Sequence, residues 1–209
     1  MSNYKLNIHF TEKALKDIYA EHQRLALTKE VLGNKGKSVV WVSTLPFVRN
    51  TIEWEENYII YSSVEEVHNG ANIEKLSDVT AIDNVVYDFS SAVFRNPKPS
   101  DCVNANEYAV HNAMDRYDSL TFGLAQEVKV NGRAQKGNPI NALPLPYNHT
   151  AVMSPTGKVK IFLASSVNDG IVMSKQFSNA IEVEFCGDET EKTITYDYEK
   201  GMLIPTDNM

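Results

Sequence analysis

Residues 51–63 read TIEWEENYIIYSS, and this stretch decides the fold class. The stretch alternates: the apolar and aromatic residues Ile52, Trp54, Tyr58 and Ile60 share one phase, and the polar residues Glu53, Glu55 and Asn57 share the other. A period of two residues is typical of a strand with one face on the core and the other in water. The stretch therefore predicts a half-buried strand of an antiparallel sheet.

Six further stretches have the same character. They read SVVWVSTLPF at 38–47, LTFGLAQEVKV at 120–130, KVKIFLAS at 158–165, GIVMSKQF at 170–177, AIEVEFCG at 180–187 and KTITYDY at 192–198. Four dipeptides between them supply turn chemistry, because glycine and asparagine accept a positive φ: Asn69-Gly70, Asn131-Gly132, Asp169-Gly170 and Lys200-Gly201. Many strands with such turns predict an antiparallel β-sandwich or a flattened barrel, formed by residues 1–209 as one domain.

One short helix precedes the strands. Thr11 is a suitable N-cap, Phe10 and Leu15 stand at the positions of a hydrophobic staple, and the helix is expected over about 11–22. From Arg24 the period changes to two, with Leu25, Leu27 and Lys29 in one phase, which favours a strand. A longer helix to Leu32 is the competing interpretation.

Two segments are expected to be long surface loops, at about 95–107 and 137–150. The first contains two prolines and three asparagines, and the second contains three prolines. Because proline cannot donate to a sheet ladder, residues 143–146, Leu-Pro-Leu-Pro, favour an extended edge over a central strand.

The composition of the chain argues against several classes of protein. The chain has 209 residues and a formal net charge of −7, which argues against a nucleic-acid partner, because phosphates require a basic face. No secretory signal and no transmembrane segment are recognisable, so a cytoplasmic protein is expected, with release by a non-classical route as an alternative. The two cysteines, Cys102 and Cys186, are expected to be free thiols; one disulfide is the alternative.

No motif predicts a cofactor, a metal centre or catalysis. The five histidines are dispersed without ligand spacing, although the oxygen-rich segments Asn168-Asp169 and 101–106 leave calcium open. Glu53 and Glu55 share a strand face about 7 Å apart, a spacing that could serve glycoside hydrolysis. Acid pairs are commoner on solvated faces, so we expect a protein that is not an enzyme, with an unrecognised hydrolase as an alternative.

The irregular segments carry the best candidates for ligand binding. Tyr147, Asn148 and His149 follow a proline-rich stretch, and Asn168 and Asp169 form a second polar turn. An exposed aromatic ring beside planar amides suits a sugar ring or a lipid headgroup. The sequence therefore predicts a non-enzymatic, lectin-like β-sandwich that recognises glycan or lipid surfaces, and a component of a membrane-active toxin is one form of it.

Charge distribution suggests an alternative function. Residues 128–168 hold five basic and no acidic side chains, whereas residues 182–209 hold eight acidic and two basic ones. Separate basic and acidic rims would favour contacts between copies in a homo-oligomer, as would exposed sheet edges. A self-assembling structural or storage protein of the cytoplasm is therefore the second hypothesis. Solvated outward faces of strands are the simpler explanation for the same charges.

Overall fold

A computed structural model describes residues 3–33, 36–173 and 179–206. Over these residues the chain forms one helix and seventeen strands, which confirms the mainly β fold. The elements are β1 Asn3–His9, α1 Glu12–Ala20, β2 Gln23–Leu32, β3 Lys37–Thr44, β4 Arg49–Glu55, β5 Ile59–Ser63, β6 Ser77–Thr80, β7 Val85–Ser90, β8 Val93–Pro99, β9 Tyr108–Asn112, β10 Ser119–Val130, β11 Arg133–Pro139, β12 Asn141–Pro146, β13 Thr150–Ser165, β14 Val172–Met173, β15 Ile181–Glu184, β16 Glu191–Asp197 and β17 Met202–Pro205. Residues 174–177 of the strand predicted at 170–177 lie outside the described residues.

The strands join into one large mixed sheet that is not closed into a barrel and is β-sandwich-like. One section runs β17–β16–β1–β4–β10, and β10 also pairs with β5, β11 and β12. A second section runs β15–β13–β2–β3–β14, and a third runs β8–β7–β9–β13. Strand β13 belongs to both the second and the third section, and the pairing of β12 with β3 joins the first section to the second. An antiparallel sheet was expected. Two pairs of strands, β1–β16 and β7–β9, are parallel instead, and the sheet is therefore mixed.

Along β4 the core lies where the period of two places it, whereas residues 60–63 of β5 are all buried and the alternation does not continue there. Ile52, Trp54 and Ile60 are buried, as are the centres of the neighbouring strands. Trp41 and Trp54 meet edge to face, with ring centroids 5.5 Å apart. Such aromatic pairs add to the stabilisation that burial of their apolar area provides.

The helix confirms its sequence signals. The Thr11 hydroxyl accepts a hydrogen bond from the Ala14 N–H at 3.2 Å, and Leu15 and Ile18 face the core. His22 has a φ of +54°, which reverses the chain after α1 and starts β2 at once. The longer helix to Leu32 is therefore wrong, because β2 gains its hydrogen bonds and burial from β13 and β3.

The turn dipeptides behave in two ways. Asn131-Gly132 forms the two-residue hairpin between β10 and β11, with φ of +50° and +78°, and Lys200-Gly201 lies in the turn between β16 and β17. Asn69-Gly70 lies instead in the long connection from β5 to β6. Asp169-Gly170 leads into β14, which pairs with β3 rather than with β13. These two dipeptides are turns but not hairpins.

Both predicted long loops contain strands, so their extents were wrong. The segment 95–107 begins inside β8, and the segment 137–150 includes the end of β11 and all of β12. The prolines are accommodated because β8 pairs on one side with β7, and residues 143–146 of β12 pair with β10 alone. An unpaired strand edge does not need the missing N–H, which confirms the edge position predicted for residues 143–146.

Candidate functional site

The turn between β12 and β13 presents Tyr147, as predicted. Tyr147 is 46% exposed, and Asn148 and His149 are exposed beside it. Backbone hydrogen bonds hold the turn: Tyr147 N–H donates to the Asp118 carbonyl and Asn148 N–H to the Asn112 carbonyl, at 2.9 and 2.7 Å. Asn148 adopts a φ of +59°, which asparagine tolerates better than most residues. The side chains therefore project from a braced backbone.

A second tyrosine lies on the neighbouring connection from β9 to β10. Tyr117 is 37% exposed and precedes Asp118, whose carbonyl binds the Tyr147 turn. The guanidinium of Arg116 lies 5.8 Å from the Tyr117 ring centroid. We call Arg116, Tyr117, Tyr147, Asn148 and His149 the Tyr147 surface. It combines two partly exposed aromatic rings with planar hydrogen-bonding groups, whereas the sequence indicated the members at 147–149 alone.

The other predicted pair, Asn168 and Asp169, divides into an exposed and a structural residue. Asn168 is exposed, but an Asp169 carboxylate oxygen accepts a short hydrogen bond from the Ser43 N–H. Burial raises the pKa of Asp169, while this hydrogen bond and the Arg24 charge oppose the rise. Ser43 is itself held by Arg24 Nε at 2.8 Å. Asp169 thus ties the segment after β13 to β3, which leaves less of its carboxylate for a ligand.

The structure does not bring the two predicted groups together. The Tyr147 turn precedes β13, and Asn168 follows its far end. Between Ser154 and Ser165, the partners of β13 on β2 run from Leu32 back to Gln23. Nine residue steps of an extended strand span roughly 30 Å. The two groups are therefore separate surfaces.

The acid pair Glu53 and Glu55 lies on the wall of an open groove of about 790 Å³. Glu53 is directly opposite Lys5 of β1 on one side and Lys129 of β10 on the other. Lys5 in turn contacts Glu191 of β16 at 2.8 Å. Charges therefore alternate across four strands, and each acid of this ladder has a lysine as its cross-strand neighbour. The pairing of β4 with β1 and β10 therefore accounts for Glu53 as one member of a solvated face of alternating charges.

The basic and acidic segments of the sequence also pair with each other. Lys158 and Lys160 of β13 both contact Glu182 of β15, at 3.4 and 3.5 Å. These lysines belong to the basic segment and Glu182 belongs to the acidic one. The expectation of separate basic and acidic rims fails at these positions, because the antiparallel pairing of β13 and β15 places the two segments side by side.

A buried lysine forms a third cluster, inside the molecule, that no motif indicates. Lys29 lies on β2 with 1% of its side chain exposed. Its ammonium faces three aromatic rings, with Nζ 5.3, 5.2 and 5.6 Å from the ring centroids of Trp41, Trp54 and Tyr58. The negative faces of aromatic rings attract a cation, most strongly where water is excluded.

Two polar side chains complete this cluster, which we call the Lys29 box. Lys29 Nζ donates to Gln126 Oε1 at 2.8 Å and to Glu56 Oε1 at 3.3 Å. Glu56 is 33% exposed and also accepts hydrogen bonds from the Trp54 indole and the Tyr58 hydroxyl. The box therefore connects β2, β10 and the connection from β4 to β5 through one ammonium group.

Burial lowers the pKa of Lys29 from 10.5 to about 8, and the Glu56 carboxylate opposes the shift. The group remains mainly cationic at neutral pH. One sequence signal marks it: Lys29 falls in the same phase of β2 as the buried Leu25 and Leu27. A lysine in an apolar phase indicates a buried cation, but its aromatic and carboxylate partners are distant in sequence.

The side chains whose positions are described were compared with the ligand sets of metal sites. Residues 3–33, 36–173 and 179–206 contain no group of three or more His, Cys, Asp or Glu side chains that could hold a metal ion. Cys102 and Cys186 are exposed and free, as predicted. Over the same ranges, no helix is both long enough and apolar enough to cross a membrane.

Fold and surfaces together define a mainly β protein with an exposed aromatic surface and an internal cation box. Comparison with known proteins finds no family model, curated protein or solved structure that matches the chain.

Proposed function

We propose that this protein is a non-enzymatic, lectin-like binding module that recognises glycans through the Tyr147 surface. The observation that supports the proposal is the pair of partly exposed rings, Tyr117 and Tyr147, on adjacent connections whose backbones are hydrogen-bonded to each other. A pyranose ring presents apolar C–H faces, which stack on aromatic rings, and hydroxyl groups, which pair with planar polar groups.

The polar members of the surface suit that role. The Asn148 amide can donate and accept hydrogen bonds, and the planar guanidinium of Arg116 carries several N–H donors beside the Tyr117 ring. Because backbone hydrogen bonds already hold the turn, ligand binding would order few additional groups. A preorganised surface loses less conformational entropy on binding.

Glycan binding is tested first on an array of defined oligosaccharides, followed by titration calorimetry with the strongest ligand. If the Tyr147 ring stacks on the sugar, Tyr147→Ala should weaken glycan binding about tenfold, because one aromatic contact contributes about 1.4 kcal/mol. Tyr147→Phe keeps the ring and should retain the affinity. Asn148→Gly keeps the positive φ of the turn and removes the amide, so it measures hydrogen bonding alone.

Tyr198→Ala is the matched control, because Tyr198 is exposed to a similar extent but lies against Lys13 and Asp17 of α1. Unfolding curves establish that each variant folds. Equal affinity of Tyr147→Ala and wild type, or no bound glycan on the array, would refute the proposal. Sedimentation velocity on the same samples addresses the self-assembly alternative, which requires oligomers that grow with concentration.

A further inference from the structure

An exposed apolar patch lies on the connection between β3 and β4, near the C-terminal end of β13. Its members are 43 to 56% exposed: Tyr19, Leu45, Phe47 and Val48. Tyr19 belongs to α1, and its hydroxyl donates a hydrogen bond to the Pro46 carbonyl, which joins helix and loop. We call this set the Phe47 patch. Single exposed apolar residues are ordinary, whereas the largest apolar patch of a monomer is often functional.

The loop under the patch is held by a buried asparagine. Asn50 is 1% exposed; its amide donates to the Phe47 and Ile8 carbonyls at 2.8 and 3.1 Å and accepts from the Phe47 N–H at 2.9 Å. The Val48 carbonyl accepts from the Phe10 N–H at 2.9 Å. These bonds pair the Phe47 N–H and the carbonyls of Phe47 and Val48 inside the protein, while the apolar side chains of the loop are exposed.

The size of the patch distinguishes between partners. The exposed area is on the order of 400 Å², since each such side chain offers about 150–250 Å² in full and close to half of it is exposed. A stable protein interface needs about 800 Å² from each partner, so a second copy of this chain would leave the contact too small. The affinity of insertion into a bilayer interface instead scales with the apolar area that leaves water, so a patch of this size contributes in proportion to its area.

The backbone at Phe47 points to the same partner. Lipid offers no hydrogen bonds to exposed N–H and C=O groups, and Asn50 pairs both the N–H and the carbonyl of Phe47, the most exposed residue of the patch. Charges around the patch are mixed: Lys16 and Arg49 are exposed, and so are Asp17 and Glu21. We infer that the Phe47 patch inserts into the interfacial region of a lipid bilayer, with the apolar contact rather than anionic headgroups providing the affinity.

Vesicle flotation with the full chain tests this inference, using phosphatidylcholine vesicles with and without phosphatidylserine. The wild type is expected to float with both. Phe47→Ser is expected to lower the partition coefficient about tenfold, because Phe47 is more than half exposed and burial of its accessible part contributes about 1.4 kcal/mol. The matched control is Ile82→Ser on the turn between β6 and β7, since Ile82 is as exposed as Leu45.

A fluorescence version gives a positive signal. Trp41 and Trp54 are buried, so their emission should change little when vesicles are added. In Phe47→Trp, the emission of the introduced tryptophan is expected to shift to the blue when vesicles are added. In Ile82→Trp, no such shift is expected. No flotation of the wild type, equal flotation of Phe47→Ser, or a dimer in sedimentation velocity that Phe47→Ser abolishes would each overturn the inference.

Discussion

Replacing Lys29 with methionine tests the Lys29 box. Methionine keeps an unbranched side chain and removes the cation. Burial holds the pKa of Lys29 at about 8 in the folded protein, against 10.5 in the unfolded chain. The unfolded chain therefore binds the proton more tightly, and the contribution of Lys29 to the free energy of unfolding rises with pH between about 8 and 10.5.

The magnitude follows from these two pKa values. Between pH 7 and pH 9.5, the free energy of unfolding of the wild type should increase by about 2 kcal/mol relative to Lys29→Met. Buried tyrosines act in the opposite direction: the pKa of Tyr58 and Tyr61 is raised by burial, so the folded state loses stability above about pH 10. Both proteins contain these tyrosines, so their effect cancels in the difference.

Urea unfolding followed by tryptophan fluorescence, repeated across this pH range, gives the required curves. Lys160→Met is the matched control, because Lys160 lies opposite Thr28 on the adjacent strand with 44% of its side chain exposed. Its curve should run parallel to the wild type. If the free energy of unfolding of the wild type minus that of Lys29→Met stays constant from pH 7 to 9.5, the assigned environment of the ammonium is refuted. If this difference falls with pH, the surroundings of Lys29 favour the charged form.

Two further substitutions test the packing that positions these surfaces. Gly123→Ala would place a Cβ 2.1 Å from the Asn141 carbonyl oxygen and 2.7 Å from the Tyr61 ring, so urea unfolding should show a loss of about 3 kcal/mol. Gly132→Ala meets nothing within 4 Å and should lose only about 1 kcal/mol from its positive φ; equal losses would contradict the contact at Gly123. Thr11→Ala should lose about 1 kcal/mol through the N-cap, and Thr11→Ser should restore most of it in the same assay; no loss would show that tertiary packing alone holds α1.

Local patterns were sufficient for much of the fold. The alternation at 51–63 placed Ile52 and Trp54 inside because a strand turns successive side chains to opposite faces whatever it pairs with. Thr11 marked the start of α1 for a similar reason, since capping depends on residues within one turn. Both signals are contained in fewer than fifteen consecutive residues.

Pairing between distant residues was not predictable in this way. The proline-rich stretch at 137–150 forms β12 because β10 supplies hydrogen bonds on one side, and nothing in those residues identifies the partner. Tyr117 lies near Tyr147 because the carbonyl of the next residue, Asp118, accepts a hydrogen bond from the Tyr147 N–H, 29 positions further along the chain. The box around Lys29 likewise needs β2, β4 and β10 together. The sequence thus indicates which residues are special, and the topology determines which of them meet.

The positions of the two proposed surfaces make their tests independent. The Tyr147 surface adjoins the start of β13, whereas the Phe47 patch follows Thr44, whose partner Leu25 pairs with Leu163 near the end of β13. A monomer that inserts Phe47 into a bilayer would therefore hold Tyr147 away from that bilayer, so a glycan bound there would come from solution or from a second surface. Phe47→Ser should consequently leave glycan affinity unchanged, and Tyr147→Ala should leave flotation unchanged. Loss of both activities in either variant would indicate a folding defect or one shared site, and would contradict the assignment of two separate surfaces.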